Sequence, residues 1–532
     1  MLVFQILCIV LFFALMIGVG VVCRKRATDV NGFVLGGRAV GPWLTAFAFG
    51  TSYFSAVIFV GYAGQFGWNF GLASTWIGLG NAFIGSLLAW VILGRRTRLM
   101  TQKLDSRTMP DFFEKRYGSR LLKTVASVIV FVFLIPYTAS LYNGLSSLFN
   151  SAFSVPYWAV ILVMAVFTGV YVIWGGYIAT AVNDFIQGIV MLFGIVAVIV
   201  AVLADNGGLG AAIRDLSLIP SEYPDSLGQA GAFSSFFGAQ PMYLLIVVLL
   251  TSLGTWGLPQ MVGKFYSIKN EDAIKKGTVI STVFALIVAG GCYFIGGFGR
   301  LYADELAPIF SEAGGVVYDA IIPAMIGKLP GVIVTVVLVL VLAASMSTLS
   351  SLVLTSSATL TLDVIVPLRK KGMSEKGRLL TMRLFIVFFI AVSAAIAIVK
   401  DAFPTFTFIA QMMGVSWGAL AGAFLAPFLY GLYWKKTTPA AVGAAFIFGV
   451  GLEAAQLVLM FTGVDLPENI IGFVFKNPLY SGVVAMLGGL VIVPIVSLLT
   501  QKQLRGKEEQ VEDAFSCYEE KRLTSATESL GN

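Results

Sequence analysis

Apolar runs of about twenty residues recur from one end of the chain to the other, beginning with "LVFQILCIVLFFALMIGVGVV" at 2–22. Each is long enough to cross a hydrocarbon layer of roughly 30 Å as a helix. Inside such a layer every backbone amide needs an internal partner, which leaves helices or a closed barrel. Of the 532 residues, 58% are hydrophobic and only 12% charged, too little polar surface to cover a soluble globule of this size. The fold class is therefore an all-α polytopic membrane protein. The first run lacks a basic leader and a small-residue cleavage site, so it reads as a retained span.

Thirteen spans are expected, near 2–22, 42–65, 71–94, 122–148, 156–175, 183–204, 241–266, 277–300, 331–360, 380–400, 404–431, 439–462 and 479–499. With the N-terminus outside and the C-terminus inside, the inner connections include "CRKR", "GRRTRLMTQK", "EKRYGSRLLK", "KFYSIKNEDAIKK" and "PLRKKGMSEKGR". They and the tail hold 30 of the 35 Lys and Arg; the outer ones hold Arg214, Arg300, Lys328, Lys400 and Lys476. That asymmetry fixes orientation in a plasma membrane through the excess of positive charge on the cytoplasmic side. Residues 1–500 form a single transmembrane domain, and 501–532 a flexible cytoplasmic tail. The stretch "TMPDFFEKRYGSRLLK" is expected along the membrane surface. The lipid bilayer accounts for the net charge of +7 through these loops, so nucleic acid is not a partner.

Several chemistries drop out. There is no histidine, hence no usual general base, proton relay or zinc ligand. Cys8, Cys23, Cys292 and Cys517 stand singly, without a metal or disulfide framework. No nucleophile motif or pair of intramembrane carboxylates supports an enzyme.

Spans two to six and seven to eleven make two groups of five, about 42–204 and 241–431. An odd number of crossings makes the second group enter from the opposite side. Each group opens on a glycine-interrupted helix, "AFAFGTSYFSAVIFVGYAG" and "LTSLGTWGLPQMVGKF". Broken helices in matching places of inverted halves point to a binding site near mid-membrane, although Gly and Pro are common in membrane helices generally.

The run at 331–360 carries "AASMSTLSS" at its centre. On a helix Ala344, Ser347, Thr348 and Ser351 share one face, with Ser350 beside them. Two readings stand: each hydroxyl bonds back to its own helix, or the group forms an oxygen cage for a monovalent cation, which a broken helix would supplement with free carbonyls. Asp184 begins the sixth span, where a carboxylate is either functional or favoured by the helix dipole. Glu453 lies deeper in span twelve, where packing or an oligomer contact accounts for it equally well. No basic residue is placed at mid-membrane.

From about residue 5 to 450 the chain resembles the sodium:solute symporters. The resemblance is carried by "FVLGGRAVGPWLTAFAFG", "TSYFSAVIFVGYAG", "WGGYIATAVNDFIQGIVMLFG", "GLPQMVGKFYSIKN" and "AASMSTLSSLVLTSSAT". Within the family these segments look most like the proline and pantothenate carriers. The resemblance implies a five-plus-five inverted-repeat core of the LeuT type, working by alternating access. It implies a first sodium held by the carbonyls of Thr51, Phe54 and Ala344 and the hydroxyls of Ser347 and Thr348. A second sodium, held in some members, would use Asp184, Ser350 and Ser351, together with Ser347. Solute would sit near Ser52, Tyr53, Ser55, Trp256 and Gln260, with Gln411 closing the outer side. Tyr53 stands where proline carriers have an aspartate, and sialic-acid carriers' arginine has no counterpart in "TVASVIVFVFLIPYTASLYNG".

The expected function is sodium-coupled import of a small organic solute: pantothenate, an amino acid such as proline, or a small carboxylate. The alternatives are sodium-coupled sugar transport or an uncoupled facilitator or channel. The oligomeric state is left open.

Overall fold

The computed structural model describes residues 1–153, 155–223, 230–306, 316–369, 372–399 and 409–519. Among them the chain is helical, with an isolated bridge between Val40 and Ile268 as the extended pairing. Among the described residues ten helices are long and apolar enough to cross a membrane, or eleven with the bent pair Pro241–Gly257 and Pro259–Ser267. The thirteen expected spans are thus not matched one for one. Two of the helical runs, Val57–Lys103 and Tyr157–Asp205, are 47 and 49 residues long. A straight helix of the latter length would measure about 74 Å, more than twice the hydrocarbon thickness. Gly176, at φ 53° and ψ −148°, breaks it between the expected spans 156–175 and 183–204. Only glycine reaches that backbone conformation without strain, and Phe33 fills the space where a Cβ would go, 2.8 Å away. The expected span 404–431 starts outside the described residues; its helix is described from Ile409 to Tyr433.

Both predicted interruptions are real. The first broken helix runs Pro42–Tyr53, turns extended at Phe54 (φ −81°, ψ 120°), and resumes over Val57–Tyr62 and Ala63–Phe70. The second runs Pro241–Leu253 and Gly254–Gly257, turns extended at Leu258 (φ −84°, ψ 119°), and resumes as Pro259–Ser267 with a bend of 46°. Pro259 lacks the amide proton that would continue the ladder, and the residue before a proline is pushed out of the helical region. The Val40 amide donates to the Ser267 carbonyl, and the Lys269 amide to the Val40 carbonyl. The start of the first broken helix therefore lies beside the end of the second. The two run in opposite directions, as inverted halves require. The serine-rich helix Gly331–Thr359 packs against the kinked Tyr157–Asp205 helix and the first broken helix.

The basic connections gather at one end of the bundle, capping carbonyls that the helices leave free. Arg38 donates to the carbonyls of Ser106, Thr101 and Tyr266, and Arg116 to those of Gly431 and Trp434. Two further elements dock at this end, the first being the helix Met109–Tyr117. The rings of Phe112 and Phe113 meet those of Phe428 and Phe424 at a tilt, 4.9 and 5.6 Å between centres, and the Tyr117 hydroxyl donates to the Pro427 carbonyl at 2.6 Å. Its aromatic face finds an apolar partner in the bundle instead of lipid. The second lies within the expected tail. Glu508–Ser516 is a helix that buries Val511, Ala514 and Phe515, with Phe515 under the Arg116 guanidinium and Asp513 paired to Lys103 at 2.9 Å. Its apolar stripe gives it a docking face; residues 520–532 of the expected tail lie outside the described residues.

Candidate ion and solute site

The extended turn at Phe54 interrupts the backbone ladder of the first broken helix. The serine-rich helix crosses it there and presents its hydroxyls. Ser347 Oγ stands 3.1 Å from the Thr51 carbonyl oxygen and 3.0 Å from that of Ala344. Thr348 Oγ1 stands 3.2 Å from each of the carbonyl oxygens of Thr51, Phe54 and Ala344. Thr51, Ala344, Ser347 and Thr348 are fully buried and Phe54 almost so. The two readings of the hydroxyls are thus not exclusive. Each bonds back to Ala344, as membrane serines do, and each also reaches across to the broken helix. Five neutral oxygens converging in a dry pocket suit a hard monovalent cation: rotating the two hydroxyls turns their lone pairs inward. A divalent ion is ordinarily held with carboxylate help, and none of these five oxygens carries a charge.

One turn further along, the same helix meets a charge that the sequence reading placed elsewhere. Lys264, counted with the cytoplasmic connection "KFYSIKNEDAIKK", lies inside the second broken helix and is 3% exposed. Its Nζ donates to Ser351 Oγ at 2.9 Å and stands 3.7 Å from Asp184 Oδ2. Lys264 is thus a basic residue buried among the helices and not exposed in a connection. The physical reason is Asp184, a fully buried carboxylate that makes burial of a lysine tolerable. The signal available was spacing: Gln260 and Lys264 are four residues apart, on one helix face. Ser351 Oγ also lies 2.8 Å from Ser52 Oγ, so Ser52 joins this cluster. Ser350 bonds back to the Ser347 carbonyl at 2.9 Å.

The residues expected to hold solute fall into separate surroundings. A vestibule of about 510 Å³, counting the solvent at its mouth, runs from the basic end past Arg107 and Thr108 to Gln260, Lys264 and Ser351. Deeper, a narrow cavity is lined by Tyr53, Asn81, Ser86, Thr255 and Ser281, among others. The Tyr53 ring lies 5.7 Å from Trp417, which meets Tyr137 edge-on at 6.1 Å. Polar atoms of Tyr53, Ser55, Tyr137, Gln260 and Trp417 are buried without a hydrogen bond of normal geometry. Such groups are costly unless something satisfies them. Trp256, by contrast, spends its indole N–H on the Ile84 carbonyl at 3.0 Å. Gln411 stands near the start of the described part of its helix, half-buried. Tyr137 and Trp417 were missed because a lone aromatic in an apolar run is indistinguishable from core.

The chain resembles known transporters along most of its length. The chain is 28% identical over 503 residues to the osmoregulated proline transporter OpuE of Bacillus subtilis (strain 168), covering 92% of this chain and 94% of that one. It is 27% identical over 507 residues to a sodium/proline symporter of Staphylococcus aureus (strain COL), covering 93% and 92%. Among solved structures, a Na+-coupled sialic acid symporter in a substrate-bound outward-open state superposes with a TM-score of 0.71 at 18% identity, over 93% of this chain and 98% of that one. At that identity the likeness speaks for the fold, a LeuT-type arrangement of two inverted five-helix repeats. Residues 33–449 match the profile of the sodium:solute symporter family, well over half the chain. The chain belongs to the sodium:solute symporter family and is a sodium-coupled solute transporter of the membrane.

Proposed function

We propose that this symporter imports a small carboxylate-bearing solute, an amino acid such as proline or a pantothenate-like acid, across the plasma membrane. One sodium is held by the carbonyls of Thr51, Phe54 and Ala344 and the hydroxyls of Ser347 and Thr348. The observation that carries this reading is the convergence of those five oxygens, at separations of 3.0–3.2 Å, across the break in the helix. An ion there ties the broken helix to the serine-rich one. Solute bound beside Tyr53, Ser55 and Gln260 then meets a fixed backbone, and by linkage solute strengthens the ion's hold in return. The vestibule at the basic end, cytoplasmic by its charge, is the exit path. The named relatives carry proline, which supports an amino acid. Tyr53, in place of the proline carriers' aspartate, favours a pantothenate-like solute instead.

The test is uptake into proteoliposomes under an inward sodium gradient, with proline, pantothenate, short carboxylates and sugars offered in parallel. Accumulation of a carboxylate-bearing solute above equilibrium, abolished when choline replaces sodium, is expected. Accumulation of sugars alone would overturn the solute class. Equal accumulation in choline would overturn the coupling.

A further inference from the structure

Asp184, Ser351 and Ser52 surround a point between three helices, and an oxygen set of that kind attracts a monovalent cation. That point is taken. The Lys264 ammonium donates to Ser351 Oγ at 2.9 Å, stands 3.7 Å from Asp184 Oδ2 and lies 5.4 Å from the centre of the Tyr177 ring. Both side chains are almost completely buried, 4% exposed for the lysine and 1% for the aspartate. Neither carboxylate oxygen of Asp184 accepts a hydrogen bond among the described residues, so Lys264 is the charge that compensates it. A sodium ion on the same oxygens would face a like charge a few ångströms away in a medium that screens poorly.

Resting on the sodium-coupled reading above, we propose that Lys264 is a tethered counter-cation: its ammonium permanently occupies the position a second sodium would use, and the transporter binds one sodium per cycle. The lysine is carried by the second broken helix, Asp184 by the kinked helix and Ser351 by the serine-rich helix. The ammonium therefore supplies the bridge between the two repeats that an ion would otherwise supply, without drawing on the sodium gradient. The consequence is energetic. At 100 mV and a tenfold sodium gradient, one ion supports about five-hundred-fold accumulation of a zwitterionic solute such as proline, whereas two would support about 10⁵-fold.

The experiment is equilibrium binding of ²²Na⁺ to the purified full chain, with folding followed by size exclusion and thermal shift. The wild type is expected to bind one sodium per chain without cooperativity. In Lys264→Ala a second sodium is expected, and in the double variant Lys264→Ala/Asp184→Asn the count returns to one. Should Lys264→Ala fail to fold, Lys264→Gln, which keeps a donor for Ser351 but no charge, is expected to show the same gain. Two sodium ions on the wild type, or one on a folded Lys264→Ala or Lys264→Gln, would overturn the tethered-cation assignment and leave sodium coupling intact. No sodium on the wild type at saturation would overturn the coupling itself, a distinguishable result.

Discussion

Thr348 Oγ1 lies 3.2 Å from the carbonyl oxygen of Phe54, the residue at which the first broken helix leaves helical geometry. A side chain of one repeat thus touches the interruption in the other. The contact is useful because it is conditional: it holds only while the break keeps its present shape, which is what lets an ion at this point report on, and set, the conformation.

Removing either cage hydroxyl should weaken sodium without unfolding the protein. A neutral oxygen ligand is worth about 1–2 kcal/mol, a factor of roughly 5–30 in affinity. Ser347→Ala and Thr348→Val are therefore expected to raise the sodium concentration for half-maximal uptake by about that factor. Sodium-dependence curves at fixed solute measure it; unchanged curves in both variants would return the hydroxyls to helix packing alone.

Asp184→Asn should destabilise. It leaves the buried Lys264 ammonium 3.7 Å from an amide in place of a carboxylate, and breaking a buried pair from one side costs about 3–5 kcal/mol. The thermal midpoint is expected to fall, and adding Lys264→Met should recover much of the loss because no uncompensated charge remains. A double variant as unstable as the single would show that the two residues do not form a pair.

At Gly176 a side chain is refused twice, by a φ of 53° and by Phe33 at 2.8 Å. Gly176→Ala is expected to cost about 1–3 kcal/mol, seen as a lower thermal midpoint. Glycine-to-alanine exchange at Gly18, inside the helix Leu2–Cys23 with nothing within 4 Å, is the control and should be neutral to mildly stabilising.

The basic end has its own pH dependence. Asp111 lies 2.8 Å from Lys123 and 3.1 Å from Lys115. Burial by itself would raise its carboxyl, but Lys123 first and Lys115 second hold it below the usual carboxylate range. A depressed folded value means that the ionised form stabilises the fold. That contribution is complete above the unfolded value of about 4 and drains away as pH falls below it, through the folded one. Thermal midpoints taken from about pH 6 down to pH 3 should therefore fall more steeply for wild type than for Asp111→Asn. Parallel slopes would remove Asp111 from the account.

Sequence determined what depends on near neighbours along the chain. Apolar run length dictates membrane helices, Gly and Pro mark both breaks, and seven-residue spacing puts Ala344, Ser347, Thr348 and Ser351 on one face; all of these survived into the structure. Tertiary structure decided the rest. Whether Lys264 ends in water or against Asp184, whether Met109–Tyr117 faces lipid or Phe424 and Phe428, and whether Glu508–Ser516 docks or drifts all turn on partners distant in the chain. A buried charge or aromatic face has no fixed energy of its own; its sign is set by what it meets, and only the folded chain supplies that.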